Sequence, residues 1–237
     1  MKRNLCFILA VVLAWGIFAA PAGAQITGEG IYLTPKLGAS LFTGQDRFKS
    51  RIGDFPEESN NSIRFAGALA VGYDFAGQGL PIRTEVEFAM RAPFRTESES
   101  VLLAIPVVSQ NKVTINTLMF NALLDFETDT VFTPYIGGGL GVALIKGENT
   151  IASRDNYSDR VTSSHSINKF AWDLTAGGAW DITGGLALDL GYRYFNFGNV
   201  DTGSYAVIVN PPSGTAHSSY SRAALHEVMM GLRFSYY

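Results

Sequence analysis

Hydrophobic and polar residues alternate at period two along much of this chain. In residues 226–237 one face is apolar apart from a histidine, and the other face carries a glutamate, an arginine and a glycine. The apolar face consists of His226, Val228, Met230, Leu232, Phe234 and Tyr236. Because successive side chains of a β-strand point to opposite faces, the pattern predicts a strand with one apolar and one polar side.

Seven earlier segments show the same alternation, so the sequence predicts eight strands in all. The eight segments are residues 31–42, 62–75, 81–95, 112–127, 131–146, 168–182, 185–197 and 226–237. One such segment is a weak indication of a membrane strand, whereas eight in series are a strong one.

The lengths of the connections give an independent indication of the fold. The short connections are residues 76–80, 128–130 and 183–184, and they alternate with long polar ones at 44–61, 96–111, 147–169 and 198–222. Outer-membrane barrels have short periplasmic turns and longer external loops. The sequence therefore predicts an all-β fold, an eight-stranded antiparallel up-and-down transmembrane β-barrel with four long extracellular loops.

The first residues have the three-part plan of a secretory signal. Lys2 and Arg3 precede an apolar run at residues 7–20, and Ala22-Gly23-Ala24 is a small-residue cleavage site. We expect residues 1–24 to be removed and residues 25–237 to form the barrel domain in the outer membrane of a Gram-negative cell. The single cysteine, Cys6, lies within the signal, so the exported chain is predicted to have no disulfide.

Composition and charge narrow the possible classes of protein. Hydrophobic residues make up 47% of the chain and charged residues only 16%, yet no run after the signal approaches the roughly 20 apolar residues of a membrane helix. Removal of Lys2 and Arg3 leaves 16 basic against 21 acidic residues, a formal charge of −5. This balance argues against nucleic acid as a partner, since nucleic-acid-binding proteins normally present a basic surface.

The predicted inward faces carry charges of both signs. The basic residues are Lys36, Arg64, Arg83, Arg91, Arg193 and Arg233, and the acidic residues are Asp74, Glu85, Glu87, Asp125, Asp173, Asp181, Asp189 and Glu227. Eight strands enclose little more than the space that side chains fill, and charges confined there must be paired or hydrated. We therefore predict a salt-bridged plug, and a narrow water-filled channel is the alternative.

The glycine-rich stretch at residues 137–141 has two interpretations. A phosphate-binding loop would need a helix directly after the glycines, and the period-two alternation instead continues through Val142 and Leu144. The favoured interpretation is that these glycines leave room for neighbouring inward side chains and let the sheet curve.

Catalytic and metal-binding residues are not indicated by the sequence. Of the three histidines, His165 lies next to a serine, His226 is interpreted as a rim residue at the lipid boundary, and His217 with Ser219 weakly resembles the His-x-Ser pair of outer-membrane lipid A deacylases. Tyr220 stands where the motif of that family has Asn, and the acid would have to be Glu227 or another residue that the sequence does not place. We predict no enzyme activity, no catalytic residue and no cofactor, and a lipid A-acting hydrolase stays open as an alternative.

Metal-ligand spacing is also missing from the sequence. Two loop acids, Asp155 and Asp159, could share a divalent cation with lipopolysaccharide, but a solvated loop is the simpler interpretation. No metal site is therefore predicted.

Two of the predicted external loops contain apolar runs. They are residues 101–108 and 206–209, and the second is followed by a turn-forming sequence at 210–214. The hairpins could pack these runs on each other above the membrane. Alternatively the runs form an exposed patch that binds a host or neighbouring-cell surface, since such patches mark interaction sites.

Three strand sequences resemble a known family. Residues 132–141 (FTPYIGGGLG) and 186–194 (LALDLGYRY) are similar to the small outer-membrane β-barrel superfamily, which includes the opacity proteins and the "porin family" surface antigens. The closing Gly231-x-x-Phe234-x-Tyr236 resembles the signal read by the barrel-assembly machinery, with Tyr237 as one additional aromatic residue. The resemblance implies an eight-stranded surface-exposed barrel, sometimes adhesion, and no shared catalytic residues.

The function expected from these observations is that of an integral outer-membrane surface protein. The barrel would anchor four extracellular loops used for adhesion or surface interaction. Its expected partners are outer-membrane lipid and lipopolysaccharide, the barrel-assembly machinery and surface ligands of other cells.

Overall fold

The structure is a computed structural model that describes residues 30–50, 53–54, 58–59, 62–102, 105–153, 160–207 and 214–236. Side chains are described for residues 30–43, 63–95, 110, 112–148, 150, 164–199 and 224–236. The predicted signal at residues 1–24 lies outside the described residues.

Twelve strands and one short 3₁₀-helix make up the described fold. The strands are β1 (Ile31–Ser50), β2 (Gly53–Asp54), β3 (Glu58–Ser59), β4 (Ser62–Asp74), β5 (Ile82–Arg91), β6 (Phe94–Leu102), β7 (Ile105–Asp125), β8 (Phe132–Ser153), β9 (Arg160–Thr183), β10 (Leu186–Asn196), β11 (Val200–Val207) and β12 (Gly214–Tyr236). No helix among these residues is long and apolar enough to cross a membrane.

Eight of the strands form a closed antiparallel ring in the order β1, β4, β5, β7, β8, β9, β10 and β12, and β12 pairs back to β1. The closing register runs from Ile31 opposite Tyr236 to Ser50 opposite Ala216. Closure leaves none of these strands with an unpaired edge, which is the condition for crossing lipid as a sheet. The predicted eight-stranded barrel is confirmed.

The three predicted short turns lie together at one end of the barrel. The 3₁₀-helix Ala76–Gln78 forms the first turn, and it ends at Gly79, whose backbone has a left-handed φ of 75°. Residues 126–131 and 184–185 make the other two. Since short turns are periplasmic in such barrels, this end is assigned to the periplasm.

At the opposite end the strands are longer than the alternation predicted. β1 continues to Ser50, β8 continues to Ser153 and β9 begins at Arg160, so much of the predicted loops 44–61, 96–111, 147–169 and 198–222 is paired strand. The alternation of apolar and polar residues disappears there because most of the residues are polar, whereas backbone pairing needs only N–H and C=O groups. The predicted strand boundaries at this end were wrong for that reason.

The segment predicted as one strand at residues 81–95 is divided in two. β5 ends at Arg91 and β6 begins at Phe94, with Ala92 and Pro93 between them. Proline has no N–H to donate to a ladder, and the Ala92 N–H is satisfied by the Phe65 carbonyl at 2.9 Å. Beyond this break β6 pairs with β7 as a hairpin whose innermost described pair is Leu102 and Ile105.

The outward faces form an apolar band around the barrel, as predicted. Large hydrophobic side chains on all eight barrel strands are strongly exposed, and examples are Ile63, Phe65, Phe120, Leu140, Phe170, Leu190 and Met230. In water such a surface would be unfavourable by about 25 cal/mol per Å². It fits the lipid-facing skin of a membrane barrel.

The glycines of β8 bring neighbouring side chains close to the wall, and the strand runs unbroken through residues 137–141. A Cβ at Gly139 would overlap the Asn121 side-chain oxygen and would lie 3.0 Å from Asp173 Oδ2. The interpretation that these glycines make room for inward side chains is confirmed, and the phosphate-loop interpretation is excluded.

Candidate functional site

The inward side chains of the barrel strands form a layered network of charge. Glu227 of β12 lies at its outer part and is fully buried. The Nε and Nη2 groups of Arg91 donate to its two carboxylate oxygens, the second at 3.0 Å. The Nη2 group of Arg193 also donates to Glu227, at 2.8 Å. Two arginines from β5 and β10 thus share one carboxylate.

The next layer is centred on Glu87 of β5. Arg193 donates a short hydrogen bond to Glu87, and Lys36 Nζ donates to Glu87 and to Glu85 at 2.8 and 2.7 Å. The Tyr32 hydroxyl donates to Glu85 at 3.1 Å. Charge therefore alternates in sign across the lumen, and each carboxylate contacts more than one donor.

Nearest the periplasm, Arg83 forms a two-pronged pair with Asp125, with N–O distances of 2.6 and 2.9 Å. Its guanidinium lies 5.1 Å from the centre of the Tyr135 ring. Asp189 is held more loosely, 4.0 Å from Arg83 and 3.9 Å from Arg233. The predicted salt-bridged interior is confirmed in these three layers.

Some of the predicted inward charges lie outside the network. Arg64 donates to the Pro93 carbonyl at 3.0 Å, and Asp74 accepts from the Ala76 N–H at 2.9 Å in the first turn. Asp181 is 56% exposed at the periplasmic mouth, 4.0 Å from Arg233. These residues belong to strand ends, where water or the backbone satisfies them.

An apolar cluster inside the barrel covers the outer side of the charge network, and sequence reasoning missed it. Its members are Phe42, Phe94, Val113, Ile115, Met119, Ala143, Ile145, Ala171, Phe195, Phe197 and Leu225. Phe42, Phe195 and Leu225 are each two residues outward of Ser40, Arg193 and Glu227, on the same faces of their strands. The change from polar to apolar inward positions was the signal that could have revealed this cluster.

The unfilled space inside the charge network is small. A cavity of about 40 Å³ lies among Lys36, Arg83, Glu85, Tyr135 and Arg193, enough for about two or three water molecules. The charged groups that would line a conduit instead bind one another across the lumen. With the apolar cluster above them, they fill the described interior down to a wider cavity of about 220 Å³ at the periplasmic mouth, which Asp74, Asp181 and Arg233 line.

The geometry contradicts Glu227 as the acid of a catalytic group. His217 and Ser219 lie in β12, but their side chains are outside the described set. Glu227 is eight residues farther along the strand than Ser219, or about 27 Å at roughly 3.4 Å per residue, and Arg91 and Arg193 occupy its carboxylate. The proposed acid is therefore too far away and already paired.

The remaining candidates from the sequence are His165 and the acidic residues that could bind a metal ion. His165 is exposed on β9. In the described part of the chain no group of three or more His, Cys, Asp or Glu side chains is placed to hold a metal ion. Asp155 and Asp159 lie outside the described residues.

His226 lies in an aromatic group on the outer surface of the barrel. Its Nδ1 atom is hydrogen-bonded to the Tyr192 hydroxyl at 2.6 Å, and its ring centre is 5.3 Å from that of Tyr194. Trp172 packs edge-on against Tyr194 at 5.7 Å. Tyrosine and tryptophan are typical of the membrane boundary, so this group agrees with the interpretation of His226 as a rim residue, which stays a prediction.

Above the apolar band, a second ionic group lies on the outer face of β7 and β8. Glu148 accepts from Lys112 Nζ and Lys146 Nζ, each at 2.8 Å. The hydrogen bonds from Lys112 and then Lys146 lower the pKa of the Glu148 carboxyl to about 2. Both lysines therefore face an ionised carboxylate under all but strongly acidic conditions.

The sequence of this chain is similar to one protein family and to several outer-membrane and surface proteins. The family described as "Outer membrane protein beta-barrel domain" matches residues 10–210. The outer membrane protein PagN of Salmonella typhimurium is 30% identical over 97% of both chains. A Rickettsia bellii protein named "Putative adhesin" is 23% identical over 99% of both chains, and opacity protein opA67 of Neisseria gonorrhoeae is 26% identical over 71% of this chain and 76% of its own.

Replacing Arg193 tests the charge network. Arg193→Leu leaves Glu87 and Glu227 each without one of their donors in a buried site, so we expect a loss of about 3–5 kcal/mol in the free energy of unfolding. Urea unfolding of the refolded protein in lipid vesicles measures this loss. Asp181→Asn, which changes an exposed carboxylate, is the control and should shift stability by no more than about 0.5 kcal/mol. Equal stability of the Arg193→Leu variant and wild type would contradict the network.

Acidification tests the Glu148 group. Its pKa in the folded protein lies below the ordinary value of 4.5, so its stabilising effect is complete above that value and is lost as the pH falls towards about 2. The melting temperature of wild type should exceed that of Glu148→Gln near neutral pH, and the two should converge over this acidic range. A difference that does not change with pH would show that Glu148 acts by packing alone.

Proposed function

The chain belongs to the outer-membrane β-barrel family, and we propose that within this family it is an adhesion protein whose barrel anchors a binding surface outside the cell. Membership in the family and the matching relatives locate it in the bacterial outer membrane. The barrel is thus an integral surface anchor.

The single observation that carries the proposal is the height of the strands at the end opposite the short turns. The pairing of β7 with β8 continues to Val107 opposite Ser153, and β8 pairs with β9 as far as Ala152 opposite Arg160. On the other side, β12 pairs with β1 as far as Ser50. These ladders continue well past the apolar band and would hold a binding surface rigidly above the membrane.

The apolar run at residues 101–108 lies at the end of one of these ladders. Residues 101–102 belong to β6 and residues 105–108 to β7, and Val101 and Leu102 pair with Pro106 and Ile105 across the hairpin. The adhesin name of the Rickettsia bellii relative supports adhesion as the role of such a surface. We propose that this hairpin end contacts the surface of a host or neighbouring cell.

Transport and catalysis are less well supported as functions. A channel would need a hydrated path, whereas the described lumen is filled by paired charges below and an apolar cluster above. A lipid A hydrolase would need an acidic residue beside His217, and Glu227 is too far along β12 and is already paired with Arg91 and Arg193. We propose that the protein is not an enzyme and does not conduct; stable single-channel steps from wild type in planar bilayers would contradict the second statement.

Three further proposals concern assembly and the membrane. Residues 1–24 act as a cleaved signal. The closing strand is read by the barrel-assembly machinery. Lipopolysaccharide is a membrane partner on the outer leaflet.

Replacing the hairpin end tests adhesion. A Gly/Ser segment in place of residues 102–108 should reduce the attachment of bacteria to cultured epithelial cells by roughly tenfold or more, since a few central contacts usually carry most binding energy. The matched control replaces residues 154–159, which lack an apolar run, with Gly/Ser. Both variants must reach the surface in amounts equal to wild type, measured by surface labelling. Attachment unchanged by the first replacement would remove the basis of the proposal.

Deleting Tyr236 and Tyr237 tests the role of the closing strand. We expect less folded barrel in the outer membrane, reported by loss of heat-modifiable migration on gels, because Tyr236 pairs with Ile31 at the seam and ends the resemblance to the assembly signal. Refolding of the same variant in detergent separates recognition from intrinsic stability. If assembly in cells is normal, the strand has only a structural role.

A further inference from the structure

The outer face of β7, β8 and β9 changes from apolar to polar within a few rows of the ladder. Leu118, Val142 and Phe170 share one row, and their side chains are 49%, 40% and 65% exposed. Asn116, Leu144 and Asn168 form the next row outward. The edge of the hydrocarbon layer on this side therefore lies at the row of Leu144.

The following two rows carry cations. The first is Thr114, Lys146 and Ser166, and the second is Lys112, Glu148 and Ser164. The rows are about 7 Å apart along the strands, since each spans two residues. The lysines are thus just above the hydrocarbon edge, at the height of the polar headgroups.

The two lysines are held in place and remain accessible. Glu148 accepts from both at 2.8 Å, while the Lys146 side chain is 54% exposed and the Lys112 side chain is 37% exposed. Arg95 of β6 is paired with Lys112 in the register and is also exposed. Three cations around one carboxylate give this surface, which we call the β7–β9 rim, a local charge of +2 on a chain whose net charge is −3.

We propose that the β7–β9 rim binds the phosphate groups of a phosphorylated glycolipid of the outer leaflet, with the lipid's acyl chains lying on Leu118, Val142 and Phe170. Ammonium groups at the headgroup level attract lipid phosphates, and the exposed hydroxyls of Ser164 and Ser166 are further donors in the same rows. The inference rests on the proposed place of lipopolysaccharide as a partner, and it assigns that partner a site.

The position of the rim favours a lipid over a soluble anion. The cationic rows begin directly above exposed apolar side chains, so a molecule with both acyl chains and phosphates satisfies both surfaces at once. A soluble acidic protein would gain nothing from the apolar rows. Free phosphate would contact only the polar rows and would leave the apolar rows uncovered.

Binding of lipid A to the full-length protein, refolded in uncharged detergent micelles, tests the assignment. The probe is bisphosphorylated lipid A, with dephosphorylated lipid A and inorganic phosphate as comparisons. We expect the double variant Lys112→Gln/Lys146→Gln to lose about fivefold in affinity per lysine removed. Lys112→Arg/Lys146→Arg should retain binding and shows that the site tolerates substitution. Heat-modifiable migration confirms that each variant is folded.

Lys169→Gln is the matched control. Lys169 pairs with Ala143 and lies one residue from Phe170, so it is beside the apolar row, on the opposite face of the wall from the two lysines. It should bind lipid A as wild type does. Equal affinity of wild type and the Lys112→Gln/Lys146→Gln variant would overturn the proposal, as would equal binding of dephosphorylated lipid A.

Binding of inorganic phosphate as tight as that of lipid A would make the rim a simple anion site and would also overturn the assignment to a lipid. If the lipid A proposal is overturned, the expected result of the epithelial attachment assay does not change, because that assay depends on residues 102–108. The reverse result is attachment that the replacement of residues 102–108 leaves unchanged, together with lipid A binding that depends on the two lysines. That result would overturn only the adhesion proposal.

Discussion

The backbone hydrogen bonds between β12 and β1 are the interaction on which the rest of this structure depends. Within lipid an unpaired N–H or C=O group costs several kcal/mol, so the sheet must close, and it does so over a register from Tyr236 to Ala216. Closure with eight strands fixes a narrow lumen. The lumen in turn fixes which inward side chains meet, and the outward side chains are left for the membrane.

The interior of the barrel is packed like a protein core, and it consists of a charged part and an apolar part. Toward the periplasm the core consists of arginine, lysine and carboxylate groups of five strands, which contact one another across the lumen. Toward the outside it consists of phenylalanine, leucine and isoleucine. A buried ion pair is strongly destabilised when one partner is lost, whereas apolar packing tolerates substitution of similar volume. The lower part therefore specifies the arrangement of strands more tightly than the upper part.

Much of this fold could be predicted from the sequence, because lipid and lumen impose opposite demands on successive residues. That contrast identified the eight strands, the lipid-facing residues such as Phe65 and Leu140, and charged lumen residues such as Arg193 and Glu227. It could not reveal how far β8 and β9 extend, since the contrast vanishes in water. Nor could it show that Arg91 and Arg193 share Glu227, because cross-strand partners depend on a register that only closure determines. The strand break before Phe94 could have been predicted from Pro93. The inward apolar cluster could have been predicted from Phe42 and Leu225, which are apolar residues at inward positions.

The extension of the paired strands beyond the membrane has a consequence for how this protein can evolve. Above the lipid, the ladder between β8 and β9 is maintained by main-chain groups that every residue except proline supplies. The sequence of that region can therefore change without loss of the pairing that gives the scaffold its height and direction. The charged and apolar residues that fill the barrel lie inside the wall, so the outer surface above the lipid and the packed interior depend on separate sets of positions.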